Sequence, residues 1–121
     1  MKRTDELQGR RLLDVEFREN YERRGQEQPG DYYRVLSDPQ PYPASNLTGE
    51  TWYIVTPNGL HGSLHNHTVR EEADGTITVK PGDGSSNSIL VSHRTPEGDK
   101  TWHGYITNGL WWSLEAKETQ Q

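Results

Sequence analysis

All five histidines of the chain lie between residues 61 and 103. His61, His65 and His67 occupy alternate positions, so an extended strand places them on one face. Imidazole nitrogens are common ligands of zinc and other transition metals. The spacing therefore allows a metal site, with His93 or His103 as a further ligand. The alternative is that these histidines face solvent or form hydrogen bonds on a half-exposed sheet.

The same histidines match the first part of the cupin pattern, in which a glycine precedes a His-x-His pair and a glutamate follows it. The matching residues are Gly59, His65, His67 and either Glu71 or Glu72. The glycine and histidine that complete the pattern are not found at the required spacing. A cupin-like metal-binding domain built on the three alternating histidines is therefore one alternative interpretation.

Serines in the same region allow a different chemistry, nucleophilic catalysis. Such a site needs a hydroxyl, a base that takes its proton, and donors that stabilise an oxyanion. Spacing alone selects no serine–histidine pair, and the chain has no Gly-x-Ser-x-Gly elbow. The candidate hydroxyls are those of Ser63, Ser85, Ser86, Ser88 and Ser92.

Composition excludes several classes of function. The chain has no cysteine, which excludes a disulfide scaffold, a zinc ribbon, an iron–sulfur site and a thiol nucleophile. A formal net charge of -5 argues against bulk attraction to nucleic acid or anionic lipid. No apolar run approaches the roughly 20 residues of a membrane span, and the polar start does not resemble a secretory signal. We therefore expect a cytoplasmic protein, or one in the host cytoplasm or virion if a phage encodes it.

The chain length of 121 residues suits one domain, and its two halves differ in character. We expect residues 1–50 to form a charged, partly helical arm that ends in a proline-rich linker. Thr4 is a candidate helix cap, and Leu13, Phe17 and Tyr21 recur every four residues. Residues 13–17 also alternate between apolar and charged, so a strand is the alternative there.

Residues 51–114 have the composition of a β domain, and residues 115–121 that of a flexible tail. Strands are predicted around clear turn signals, including Asp74-Gly75 and Asn108-Gly109. The expected strands span residues 51–56, 68–71, 76–80, 88–92, 101–107 and 110–114.

An internal repeat supports this interpretation. Residues 51–64 and 101–114 agree at seven of fourteen positions without a gap, at an offset of 50. Each copy has the pattern strand, Asn-Gly turn, strand, and begins with Thr-Trp. We predict a type I′ turn in each copy and equivalent core sites for Trp52 and Trp102. The predicted fold is a small, mainly antiparallel barrel or sandwich built from these two hairpins, with a short N-terminal helix or arm.

Three segments from the second half resemble a bacterial and phage family that was long catalogued only as a domain of unknown function. They span residues 74–79, 87–91 and 102–109, within a match from Trp52 to Trp112. The family includes the BubE-type serine peptidases of bacterial ubiquitin-like operons, which trim the ubiquitin-like protein. Here Asn87 stands where the family has proline, and residues 56–61 lack the cysteines of many members. The resemblance implies a zinc-free fold with Ser88 as nucleophile and His103 as its base.

Further candidates complete the predicted site. Asp74, Asp83 and Asp99 are candidates for the acid that orients His103. Trp111 and Trp112 point to opposite faces of one strand, so we expect one in the core and one exposed for partner binding.

Three functions follow from these observations. The first is a serine hydrolase or peptidase that acts on a protein tail, without a cofactor or nucleic acid. The second is a non-catalytic bacterial or phage binding or structural protein that uses exposed aromatic strands. The third is the cupin-like metal-binding domain. A protein partner is expected, and a homo-oligomer is left open.

Overall fold

The computed structural model describes residues 3–16, 26–36, 50–64, 67–80 and 87–114. These ranges contain strands and turns and no helix. They therefore contain no helix that is long and apolar enough to cross a membrane. The eleven strands are β1 (Arg3–Gln8), β2 (Arg10–Arg11), β3 (Val15–Glu16), β4 (Asp31–Leu36), β5 (Thr51–Val55), β6 (His61–Ser63), β7 (Thr68–Glu71), β8 (Ile77–Lys80), β9 (Ile89–Thr95), β10 (Gly98–Thr107) and β11 (Leu110–Leu114).

The strands form two sheets and a separate hairpin. The first sheet has the order β1-β11-β10-β9 and is antiparallel throughout. The second has the order β2-β4-β5-β6, with β3 also paired to β4; β2 and β3 run parallel to β4. Strands β7 and β8 form the hairpin. Neither sheet closes on itself within the described residues, so the mainly antiparallel sandwich is confirmed and a closed barrel is not seen.

One hydrophobic core joins both sheets and the hairpin. Alternate side chains of each strand point into it, as the two-residue period of a strand requires. Burial of each large apolar side chain contributes about 2 kcal/mol. The core includes Tyr32 of β4, Ile54 of β5, Ile77 of β8, Ile89 of β9, Trp102 and Ile106 of β10 and Trp111 of β11.

The helix predicted from Thr4 onward is wrong over the part of the chain that can be checked, up to residue 16. Arg3–Gln8 instead pairs with β11 as an edge strand. Leu13 is 82% exposed, so its spacing from later apolar residues does not mark a core-facing helix stripe. Pairing with a strand more than 100 residues away outweighs the weak local preference for helix. Phe17, Tyr21 and the proline-rich segment lie outside the described residues.

The first 50 residues also do not form a separate arm where the structure describes them. Strand β1 belongs to the first sheet, and β2, β3 and β4 belong to the second. Tyr32 of β4 is fully buried in the common core. Residues 3–16 and 26–36 are thus part of the β domain.

The two predicted type I′ turns have different structures. Asn108 and Gly109 have φ of 48° and 78°, and Thr107 pairs with Leu110, so the prediction is confirmed in the second hairpin. In the first hairpin only Gly59 has positive φ, at 91°, and Val55 pairs with His61 across a longer loop. Pro57 has no N–H to donate to Leu60 across a two-residue turn, and the Leu60 carbonyl oxygen accepts from the Thr56 amide instead.

The tryptophans that begin the two repeats also differ. Trp102 is 5% exposed and contacts Trp111 edge to face, with ring centroids 5.2 Å apart. Trp52 is only half-buried. The ring of Trp102 lies over Gly104, where any Cβ would meet it. The residue at the corresponding position of the first repeat is Ile54. Its side chain occupies the space that the Trp52 ring would need in order to lie as Trp102 does. The predicted equivalence of the two tryptophans is wrong for this reason.

Candidate active site

The first sheet has a face that points away from the core, called the outer face below. Along β10, Trp102, Gly104 and Ile106 are buried, whereas His103 is exposed and Tyr105 half-buried. Cross-strand pairing extends this face onto the neighbouring strands. The outer face comprises Arg3, Leu90, His103, Tyr105, Trp112 and Leu114.

Ser88 lies next to the strand that pairs with His103. The β9–β10 register pairs His103 with Leu90 and Gly104 with Ile89. Ser88 directly precedes Ile89, the first residue of β9, and is therefore two residues from the cross-strand partner of His103. No hydrogen bond of the described residues joins the two side chains, and the contact of the His103 ring is with Tyr105, at 6.5 Å between centroids.

The backbone of Ser88 is held in place by another histidine. His67 donates a hydrogen bond from Nε2 to the Ser88 carbonyl oxygen over 2.7 Å. The other ring nitrogen, Nδ1, is buried and has no partner in the described part of the chain. His67 therefore connects the start of β7 to the start of β9, directly before Ile89.

The histidines predicted to bind metal do not come together where they can be checked. His61 is exposed on β6, and its carbonyl oxygen accepts a hydrogen bond from His93 Nε2 over 2.8 Å. His67 is used by Ser88, and His65 lies outside the described residues. No group of three or more histidines or acidic residues in the described ranges is arranged to hold a metal ion.

Neither described candidate for the orienting acid contacts His103. Asp74 Oδ1 accepts hydrogen bonds from the Thr76 hydroxyl over 2.6 Å and from its amide over 3.0 Å, which lower the pKa of Asp74. Asp99 pairs across the strands with Arg94 and lies about 13 Å along β10 from His103. Asp83 lies outside the described residues.

The two adjacent tryptophans of β11 point in opposite directions, as predicted. Trp111 is fully buried and donates from Nε1 to the Gly30 carbonyl oxygen over 2.8 Å, so it is the member of the pair that lies in the core. Trp112 lies on the outer face, stacked on Tyr105 with centroids 4.3 Å apart. The Arg3 guanidinium lies 4.0 Å above the Trp112 ring.

Two members of the stack formed by Arg3, Trp112 and Tyr105 are not predicted from the sequence, namely Arg3 and Tyr105. Tyr105 has a usable signal, because it alternates with His103 along β10 and so shares its face. Arg3 has none, since its position depends on pairing between the first and last described strands. Leu90 and Leu114 add exposed apolar surface, at 65% and 40% exposure.

Comparisons of the chain with protein-family models, with curated proteins and with solved structures each find no match.

Proposed function

We propose that this chain is a serine hydrolase of the peptidase type that acts on a protein tail. Ser88 is the nucleophile and His103 the general base. The observation that supports the proposal is the β9–β10 register, which pairs His103 with Leu90, two residues after Ser88. The family resemblance is what selects these two residues among the serines and histidines of the chain.

The proposed reaction is acyl transfer through serine. His103 takes the Ser88 hydroxyl proton as Oγ attacks the peptide carbonyl, and returns it to the leaving amine as the C–N bond breaks. His103 then takes a proton from water as it attacks the acyl-enzyme ester, and gives that proton to Ser88 Oγ as the ester C–O bond breaks and the second product leaves. General-base catalysis requires a separation of about 2.6–3.2 Å, and resting sites are often looser than this. The His103 side chain is exposed, and its ring lies 6.5 Å from that of Tyr105 between centroids.

The surroundings of the pair suit an extended peptide. Strand β9 lies at one end of the first sheet, where a substrate backbone can add as a further strand. The stacked rings of Tyr105 and Trp112 lie on the same face and offer apolar contact to substrate side chains. The resemblance favours the C-terminal tail of a ubiquitin-like protein, in a bacterial or phage-infected cytoplasm, as the substrate.

The test is cleavage of a ubiquitin-like protein that carries a short C-terminal extension. We expect the wild type to release the extension, and Ser88→Ala and His103→Gln each to abolish release. Ser92→Ala is the matched control: it removes a hydroxyl of β9, four residues after Ser88, that is hydrogen-bonded to Thr101 Oγ1 at 2.9 Å. Full activity in Ser88→Ala or His103→Gln would overturn the proposal.

A second candidate function is non-catalytic binding through the outer face. It is favoured by the Arg3–Trp112–Tyr105 stack and by the two exposed leucines. If Trp112→Ala abolishes binding of the tail, whereas the wild type binds but never cleaves it, this second function replaces the first.

A further inference from the structure

The contact between His67 and Ser88 bears directly on the proposed catalytic serine. His67 directly precedes β7 and Ser88 directly precedes β9, so the contact joins the beginnings of two strands. His67 Nε2 lies 2.7 Å from the Ser88 carbonyl oxygen. Because a carbonyl oxygen only accepts hydrogen bonds, the neutral ring must carry its proton on Nε2. The contact therefore fixes the tautomer of His67 as well as the place of the Ser88 carbonyl.

Ser88 lies where the regular pairing of the first sheet ends. Strand β9 begins at Ile89, and its first cross-strand pair with β10 is that of Ile89 with Gly104. Residues 81–86, which precede this end of β9, lie outside the described residues. Ser88 is thus one residue beyond the ladder, and the hydrogen bond from His67 links its carbonyl to the start of β7.

His67 is itself anchored to the core. Its amide donates to the Leu64 carbonyl oxygen over 3.0 Å, and Leu64 is 2% exposed within the hydrophobic core. Two residues after His67, Val69 also packs against this core. The ring therefore projects from a segment that the core holds on both sides, and its hydrogen bond extends that support to Ser88.

Stability alone does not explain a histidine at this position. The second ring nitrogen, Nδ1, is buried and has no hydrogen-bond partner in the described part of the chain. Burying an unpaired polar atom costs free energy, which an apolar side chain of similar size would avoid. The contact that such a side chain would lose is the hydrogen bond from Nε2 to Ser88.

We propose that His67 is a positioning residue for Ser88. Its Nε2–H group holds the Ser88 carbonyl, and thereby the Cα from which the hydroxyl projects, in the place needed for attack on the tail. His67 itself neither contacts the substrate nor transfers a proton. Catalysis is sensitive to such placement, because a shift of about 1 Å can cost about 100-fold in rate. This role rests on the proposed function, in which Ser88 is the nucleophile.

The test compares variants of His67 that keep or lose the donor. His67→Leu and His67→Met fill the site without an N–H group, whereas His67→Gln supplies an amide N–H that can reach the same carbonyl. The measured quantities are the rate of labelling of Ser88 by a fluorophosphonate ester, and kcat and KM for cleavage of the extended tail. We expect both apolar variants to lower the labelling rate and kcat by about 10- to 100-fold with KM unchanged. His67→Gln should restore most of both.

His93 provides a matched control. Its Nε2 also donates to a backbone carbonyl, that of His61, over 2.8 Å, and it lies in β9 five residues after Ser88. His93→Leu therefore removes the same kind of hydrogen bond from the same strand without affecting the Ser88 carbonyl. We expect it to leave the labelling rate and kcat unchanged. The melting temperature of each variant shows which of them are folded.

The possible failures of this role and of the proposed function are distinguishable. Unchanged labelling and kcat in a folded apolar variant would overturn the positioning role alone. Equal losses in folded His67→Leu and His67→Gln, or in folded His93→Leu, would do the same, because the hydrogen bond to Ser88 would then not be the cause. A wild type in which Ser88 is not labelled would overturn both. If neither apolar variant folds, His67→Asn, whose shorter amide does not reach the carbonyl, replaces them.

Discussion

The two hairpins of the internal repeat have seven of fourteen residues in common but use them differently. The second hairpin buries Trp102 over Gly104 and presents His103 and Tyr105 on the outer face. In the first hairpin the corresponding residues are Ile54, Tyr53 and Val55, and Trp52 is left half-buried. Tyr53 contacts Tyr33 of the neighbouring strand, with ring centroids 5.8 Å apart.

The difference shows that a few substitutions suffice to change which side chains the two related hairpins bury. A glycine two positions after tryptophan allows the ring to fold into the core, and an isoleucine there does not. Trp52 instead lies beneath two guanidinium groups, those of Arg11 at 4.9 Å and Arg34 at 5.6 Å. The first hairpin therefore contacts a charged cluster through Trp52, and the second hairpin supplies the proposed catalytic residue His103.

The largest expected contrast is between the tryptophans themselves. Trp102→Ala should lower the free energy of unfolding by about 4 kcal/mol, because it empties a large, well-packed core site. Trp52→Ala should cost about half as much, since part of its ring is already in contact with water. Urea unfolding of the two variants measures both values. Equal losses would contradict the difference in burial.

The glycine that accommodates Trp102 gives the next contrast. In Gly104→Ala the new Cβ meets the Trp102 ring and lies 2.5 Å from the Trp112 carbonyl oxygen, so we expect a loss of about 3 kcal/mol. Gly62→Ala serves as the control, because its nearest obstacle is the Val91 side chain at 3.1 Å, which can move. Chemical unfolding should rank Gly104→Ala as the more damaging. The reverse order would show that the Trp102 ring does not need this space.

The turn glycines differ in a smaller way. Gly59 and Gly109 both have positive φ, but a Cβ at Gly59 has no atom within 4 Å, whereas at Gly109 it lies 3.1 Å from Thr76. Gly59→Ala should therefore cost about 1 kcal/mol from backbone strain alone. Gly109→Ala should cost about twice as much, because crowding adds to the strain. Thermal unfolding of the pair tests this, and a larger loss in Gly59→Ala would argue against the assigned turns.

The charged cluster beneath the first hairpin predicts a small dependence on pH. Burial raises the pKa of Asp14, but hydrogen bonds from Arg34 and Arg11 outweigh it, so the net pKa lies below the ordinary value of 3.8. A lowered pKa stabilises the fold above the unfolded pKa, and this stability is lost as the pH falls below about 4. Asp14→Asn should remove less than about 1 kcal/mol at pH 7 and flatten the acid limb of the stability curve. An unchanged acid limb would contradict the ion pairs.

Local patterns in the sequence predict much of the β domain. The Asp74-Gly75 and Asn108-Gly109 signals correctly mark hairpins, and strand periodicity correctly divides Trp111 from Trp112. Each of these depends on residues close together in the chain. The type I′ turn predicted at Asn58 is wrong because Pro57, directly before it, has no N–H to donate across a two-residue turn.

Long-range pairing accounts for what the sequence does not predict. Nothing local to Arg3 indicates that it will lie over Trp112, and nothing near Arg11 indicates Trp52. The same holds for Tyr32, whose hydroxyl position depends on the packing of the β7–β8 hairpin. For the proposed catalytic pair, the resemblance selects Ser88 and His103, and the register pairs His103 with Leu90, two residues after Ser88.

The most direct test of the catalytic proposal is covalent labelling with a fluorophosphonate ester, which reacts with activated serine hydroxyls. Peptide mass spectrometry should locate a single adduct on Ser88 in the wild type, and His103→Gln should lose that adduct while its melting temperature stays unchanged. An unlabelled Ser88 in folded wild type, or equal labelling in folded His103→Gln, would contradict the account.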